Sequence, residues 1–425
     1  MFTRPVKVLA EQKEAVAVAV AATKPFLRII GATLISVAFA FSSHAGVLPE
    51  ERADLLAHSY QGGGMDISGP SLLVRKNFLE KVSVSANYYI DNVSSASIDV
   101  LTSGASEYEE ERKEYSFSAD YLYNKTTFST GYTSSEESDY SAETIFFGVS
   151  QDFFGDLSTI SLGYAQGDDL VSRNEYTDGA LVGNTIIGTV KRQNYRLSFS
   201  QVITTNLIMG LGFETVTDQA NREDEDISVL NNPYRSVRFR SAQSGTGYAT
   251  QREFYPDTRT SDAVALRAMY YLPWRASIRA EYRFFTDTWG IEASNYELKM
   301  IHPIEDLVTI EGKYRYYEQT ASTFYRDLFD EPNELNFRAR DKEMSTFNNT
   351  TFGLGATLNL GKLLKWNAAE HELMLNFFVD HMMFSYDDFR DLTVHTSNPG
   401  AFNAGEEPLY EFDAQVYRLF LTYKY

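Results

Sequence analysis

The stretch RASIRAEYRFF, residues 275–285, decides the fold. Ala276, Ile278, Ala280, Tyr282 and Phe284 alternate with Arg275, Ser277, Arg279, Glu281 and Arg283, so a β-strand here puts its apolar side chains on one face and its charges on the other. Such a strand cannot be buried on both sides. The segment DLVTIEGKYRYY (306–317) repeats the pattern, with Val308, Ile310, Gly312, Tyr314 and Tyr316 against Thr309, Glu311, Lys313, Arg315 and Tyr317. KVSVSANYYI, EYSFSADYLY and QNYRLSFSQV behave alike, and helical spacing is scarce from residue 81 onward.

Composition says which environment meets the apolar face. The 425 residues include 28 Tyr, 29 Phe and 3 Trp, 14% aromatic, yet the mean hydropathy is −0.31. A chain both aromatic and polar fits an outer-membrane β-barrel, whose strands show one face to lipid and the other to water, with aromatic girdles at both interfaces. Lys and Arg number 38 against 58 Asp and Glu, a net charge of −20, which argues against nucleic acid as a partner. Cysteine is absent, so disulfides, thiolate metal sites and cysteine nucleophiles are excluded.

Short and long connections alternate along the chain. Tight links fall at Asn124-Lys125, Phe154-Gly155-Asp156, Thr204-Thr205, Leu272-Pro273-Trp274, His302-Pro303-Ile304 and around 361–368. Between them lie longer polar stretches at about 91–111, 134–141, 168–190, 218–260, 287–292, 320–344 and 387–409. Periplasmic turns alternating with longer external loops give an all-β, antiparallel, up-and-down transmembrane barrel. Seven loops imply about fourteen strands, near 81–90, 112–123, 126–134, 142–152, 157–167, 191–203, 206–217, 260–271, 275–286, 292–301, 307–319, 345–360, 370–386 and 411–425. LLVRKNF (72–78) also looks strand-like; if it enters the wall, the even number becomes sixteen.

The start of the chain is of another kind. Lys24 and Arg28 precede the apolar run Ile29 to Phe41, and Ser43-His44-Ala45 follows, which reads as a signal peptide over residues 1–45. Without it the chain carries 33 basic and 56 acidic residues, a net −23. Residues 46–80 are expected to form a short periplasmic or luminal segment, with a helix over 49–61 from the spacing of Leu55, Leu56 and Tyr60, broken by Gly62-Gly63-Gly64. The barrel then occupies 81–425. In its last strand Tyr417, Leu419, Leu421, Tyr423 and Tyr425 face one way, as in the C-terminal signal read by the barrel assembly machinery.

Two stretches, SGPSLLVRKNFLEKVSVSANYYIDNVSSASIDVLTSGASEYEEER (68–112) and SQDFFGDLSTISLGYAQGDD (150–169), resemble an uncharacterised proteobacterial family catalogued as a domain of unknown function, whose members look like outer-membrane barrels. The resemblance extends over most of residues 47–425. It implies the barrel and supplies neither substrate nor catalytic residues.

Charge marks the candidate site. Arg275, Arg279, Glu281, Arg283, Glu297, Lys299, Glu311, Lys313 and Arg315 lie on faces that must point into the lumen, because Arg or Lys at the bilayer midplane costs roughly 2–4 kcal/mol. Six cations against three carboxylates read either as an anion-favouring selectivity patch or as a self-paired network that stiffens the wall. Arg196, Arg267 and Arg418 stand as further candidates for the same interior. The acidic runs EYEEER, SSEESD and REDED fall in external loops, where carboxylates meet solvent or cations. His371 and His381 bracket one strand at a separation that excludes a shared metal. No hydrolase, zinc-protease, nucleotide-loop or dinucleotide motif occurs, and no metal or cofactor is expected. The sequence therefore points to a non-enzymatic channel or porin for small polar or ionic solutes, set among outer-membrane lipid and lipopolysaccharide. The rival reading is a closed barrel serving a scaffold, adhesion or partner-binding role in an envelope assembly; a third is an outer-membrane enzyme.

Overall fold

The computed structural model describes residues 47–95, 108–177, 180–231, 233–245, 247–364, 371–397 and 400–425; the expected signal peptide lies outside them. The wall begins with β1 (Arg52–Gly62), β2 (Met65–Phe78), β3 (Val82–Ser95), β4 (Tyr108–Tyr123), β5 (Thr126–Glu136), β6 (Tyr140–Phe153), β7 (Ser158–Thr177), β8 (Ala180–Thr204) and β9 (Leu207–Arg222). A small hairpin follows, β10 (Ser236–Arg240) and β11 (Tyr248–Arg252). The wall resumes with β12 (Thr258–Tyr271), β13 (Ser277–Asp287), β14 (Glu292–Ile304), β15 (Val308–Gln319), β16 (Phe347–Asn359), β17 (Glu372–Arg390) and β18 (Leu409–Lys424). Sixteen strands pair antiparallel in sequence order and β1 closes on β18, from Arg52 opposite Lys424 to Gly62 opposite Ala414.

Two expectations are corrected here. The wall has the sixteen strands expected if LLVRKNF enters it, and it starts at Arg52, so most of residues 46–80 belongs to it as β1 and β2 and not to a periplasmic or luminal segment. Residues 52–62 are a strand, not a helix. Arg52, Asp54, Leu56, His58 and Tyr60 face inward while Ala53, Leu55, Ala57 and Ser59 face outward, so apolar residues occur on both faces and the period-two contrast is blurred. Gly63 and Gly64, with φ of 60° and 76°, form the two-residue turn of the first hairpin. Two left-handed residues are what such a turn needs, and glycine adopts them without steric cost.

The exterior is an apolar belt. Phe117, Phe147, Leu162, Leu197, Leu298, Leu354, Phe377 and Leu419 are all exposed outward near mid-wall. A surface of that size made of large apolar side chains is the face a barrel turns to lipid. Tyrosines pair across neighbouring strands toward one rim, with ring centroids of Tyr88 and Tyr115, Tyr164 and Tyr195, and Tyr282 and Tyr296 4.9, 5.1 and 4.9 Å apart. Tyr121, Tyr123, Phe153, Tyr270 and Trp274 mark the other rim. Tyr417, Leu419, Leu421, Tyr423 and Tyr425 share the outward face at β18.

Both described termini lie at one end of the barrel, with the expected tight links; the Gly63-Gly64 turn lies at the other. All the expected long stretches lie at the opposite end, hereafter the lid end; most of 91–111 is outside the described residues. Residues 168–190 are chiefly strand, because β7 and β8 run on beyond their outer neighbours as a two-stranded ribbon.

Candidate functional site

The inward faces of β12 to β17 gather the charges. One row across the register reads Arg267, Glu281, Glu297, Arg315, and the next reads Arg279, Lys299, Lys313, Gly353, Asp380. Most of these charges pair. Arg267 meets Glu281 at 2.5 Å, Arg196 and Arg283 share Glu214 at 2.5 and 2.9 Å, and Asp380 receives Lys313 at 2.7 Å and Arg418 at 2.5 Å. Lys299 takes Glu297 at 3.4 Å and Glu311 at 3.8 Å, while the Arg315 Nε–H donates to Asn295. Arg279 is different: its Nε and Nη2 are shielded and have no hydrogen-bond partner among the described residues, and it forms no ion pair with them. Gly353 is needed where it stands, because a Cβ there would lie 2.2 Å from Asp380 Oδ1 and 2.8 Å from Lys313 Cε. The bare backbone lets the Lys313 arm cross to Asp380.

Eight of the nine expected lumen residues are thus brought together, as are Arg196, Arg267 and Arg418. Arg275 is not. It occupies the turn before β13 with φ 67°, exposed, and pairs with Asp306 at 3.4 Å; the strand starts two residues later than the alternation suggests. A second polar group continues past Arg418, whose register partner on β1 is His58, and the misread β1 hid that member of it from sequence reasoning. His58 Nε2 lies 2.7 Å from Asp91 Oδ1, Tyr89 donates to the same oxygen at 2.8 Å, and Arg112 pairs with Glu114 at 2.6 Å.

Above the charged rows, three long connections fold inward as a lid. Tyr255, Phe324, Tyr325, Met344 and Phe389 form a buried cluster with Trp289, against the inward wall residues Phe285, Tyr317, Phe347, Phe384, Tyr386 and Phe412. Tyr255, Trp289 and Phe324 meet edge to face with centroids 5.2 to 5.4 Å apart, the offset geometry aromatic quadrupoles favour. A charged knot ties the loops. Arg238 donates to Glu407 at 2.5 Å and to Asp327, Arg340 pairs with Asp327 at 3.0 Å, and His395 Nε2 lies 2.8 Å from Glu407 Oε1. Burial alone would raise the Glu407 carboxyl, but the hydrogen bonds from Arg238 and His395 hold it down at about 2. Burial likewise lifts the Tyr255 and Tyr325 hydroxyls well above their ordinary range. The longest of the expected stretches, 218–260, thus reaches into the mouth, with 320–346 and 391–408 joining it. Sequence reasoning missed the core of the lid because its aromatics are dispersed through loops without periodicity.

The acidic runs EYEEER and SSEESD converge, with carboxylate oxygens of Glu110, Glu137 and Asp139 within 4.8 Å of one another. Ser138 donates to Glu110 and Tyr234 to Asp139. His371 stacks on Tyr423 and His381 lies 3.8 Å from Asp413, one toward each rim, as their spacing requires.

A closed antiparallel wall, apolar outside and charged inside, defines an outer-membrane-type β-barrel. Residues 102–372 match the family described as "Protein of unknown function (DUF3570)", and the chain belongs to that family. Solved structures similar to it include the "Bacterial polysaccharide outer membrane secretin" at 8% identity and TM-score 0.43, covering 89% of this chain and 100% of that one. Two others are the "CymD monoaromatic hydrocarbon channel" (8%, TM-score 0.41, 89% of each chain) and the outer membrane protein OpdK from Pseudomonas aeruginosa (9%, TM-score 0.41, 88% and 99%). No curated protein matches the chain.

Proposed function

We propose that the protein is a channel of the bacterial outer membrane for small polar or ionic solutes, with an inward-folded lid controlling its mouth. The observation that carries this reading is a lumen lined by charges on a wall of sixteen strands, a size at which barrels leave an aqueous passage. Lipid and lipopolysaccharide surround the belt, and the outward face of β18 serves the barrel assembly machinery as its recognition signal. In this reading the chain moves solutes and catalyses no reaction.

The test is single-channel conductance of the purified, heat-modifiable barrel in a planar bilayer, with the reversal potential under a salt gradient. Steady steps with ion preference support the channel; silence from a folded barrel overturns it. A second reading, a closed barrel presenting its loops to an envelope partner, is favoured by the apolar packing of the lid on the inner wall. Silence that persists after the lid is loosened would select it.

A further inference from the structure

Arg279, Lys299 and Lys313 stand directly opposite one another on three adjacent strands, facing the same lumen. Like charges in directly opposed positions destabilise a sheet, so each needs an anion. Among the described residues, two of the three have one within ion-pair distance. Lys313 has Asp380, and Lys299 draws both Glu297 and Glu311, while the remaining near carboxylate, Glu281, is held by Arg267 at 2.5 Å. On its other flank Arg279 faces Met269, which offers no charge. The two orphan donors, Nε and Nη2, lie on one edge of the guanidinium, the parallel fork that matches the two oxygens of a carboxylate. Their shielding from bulk water strengthens any charge-assisted bond made there.

We propose that Arg279, with Lys299 beside it, is a binding station for the carboxylate of a small organic acid passing through the lumen. The inference deepens the channel reading by naming its solute class. Held by no ion pair among the described residues, Arg279 takes the carboxylate on its fork and hands it on when the solute leaves. Arg283 and Arg315, each already engaged by the wall, do not compete for it.

The test is calorimetric titration of the full, detergent-folded protein at low salt with succinate and with its neutral counterpart succinamide. Succinate should bind saturably and succinamide should not. Arg279→Gln should weaken succinate at least about tenfold, the loss of one charge-assisted pair, and Arg279→Lys should restore part of it as a point charge without the fork. The Tm of Arg279→Gln should stay the same or rise, since no native ion pair is lost. Equal binding of succinate and succinamide, full binding by Arg279→Gln, or a lowered Tm marking a structural role would overturn the proposal. Bilayer currents separate the two readings: binding without current leaves this station standing and sinks the channel, and current without binding does the reverse.

Discussion

In the lid, Arg238 and Glu407 are 1% and 0% exposed and meet in a tight pair that gathers Asp327 and Arg340 from one loop and His395 from another. In the lumen below, cations are set opposite cations, and the Arg279 guanidinium forms no ion pair among the described residues. Both regions bury charge, but the lid matches it and the lumen row leaves it short. A matched buried network resists being pulled apart, since removing one partner strands the other away from water. A mismatched row instead lowers its energy by admitting an ion. The difference separates a part built to stay in place from a part built to be visited.

The comparison breaks first at Arg238. Arg238→Met leaves Glu407 and Asp327 without their shared cation, a local cost of about 3–5 kcal/mol. Limited proteolysis of the intact barrel should then cut residues 223–257 and 391–408 far faster, with the wall still heat-modifiable; unchanged cleavage would mean that aromatic packing alone holds the lid. Acid probes the same knot without mutation. Because the folded carboxyl of Glu407 sits at about 2, below the ordinary 4.5, its contribution is complete above pH 4.5 and fades as pH falls toward 2. Cleavage of the lid loops by an acid-stable protease should therefore rise over that window. A rise at neutral pH would place the controlling group elsewhere.

Gly353→Ala sharpens the lumen side. The added methyl displaces Lys313 from Asp380 at a cost of about 1–3 kcal/mol, and the freed cation should shift the reversal potential toward anions. An unchanged potential would show that Lys313 is electrically silent. The smallest effect is expected at Arg275→Ala, which removes an exposed pair with Asp306 worth at most about 1 kcal/mol. Its Tm and selectivity should match the parent, and a selectivity change would return Arg275 to the lumen.

What the sequence disclosed follows from contrast between faces. Strands such as β13 and β15, apolar without and charged within, announced themselves by alternation, and the eight lumen residues on β13 to β15 could be named from it. β1 did not, because its inward side carries Leu56 and Tyr60 and its outward side is largely small or polar. Which charge met which stayed out of reach: pairing depends on register between strands, and Asp380, the anion that claims Lys313, lies two strands and 67 residues away in a segment that reads as apolar. The lid was illegible for a further reason. Contacts such as Arg238 to Glu407 join positions 169 apart, with no repeat to betray them.

The ribbon formed by β7 and β8 carries a consequence of a different sort. Its last residues, 172–177 and 180–186, find sheet partners only in each other, and within them Asn174 and Asn184 are footed on Ser138, with the Asn174 N–H also donating to the Tyr234 hydroxyl. Beyond that footing each strand has only the other as its sheet neighbour, so the end of the ribbon can open by local fraying without breaking a pair of the wall.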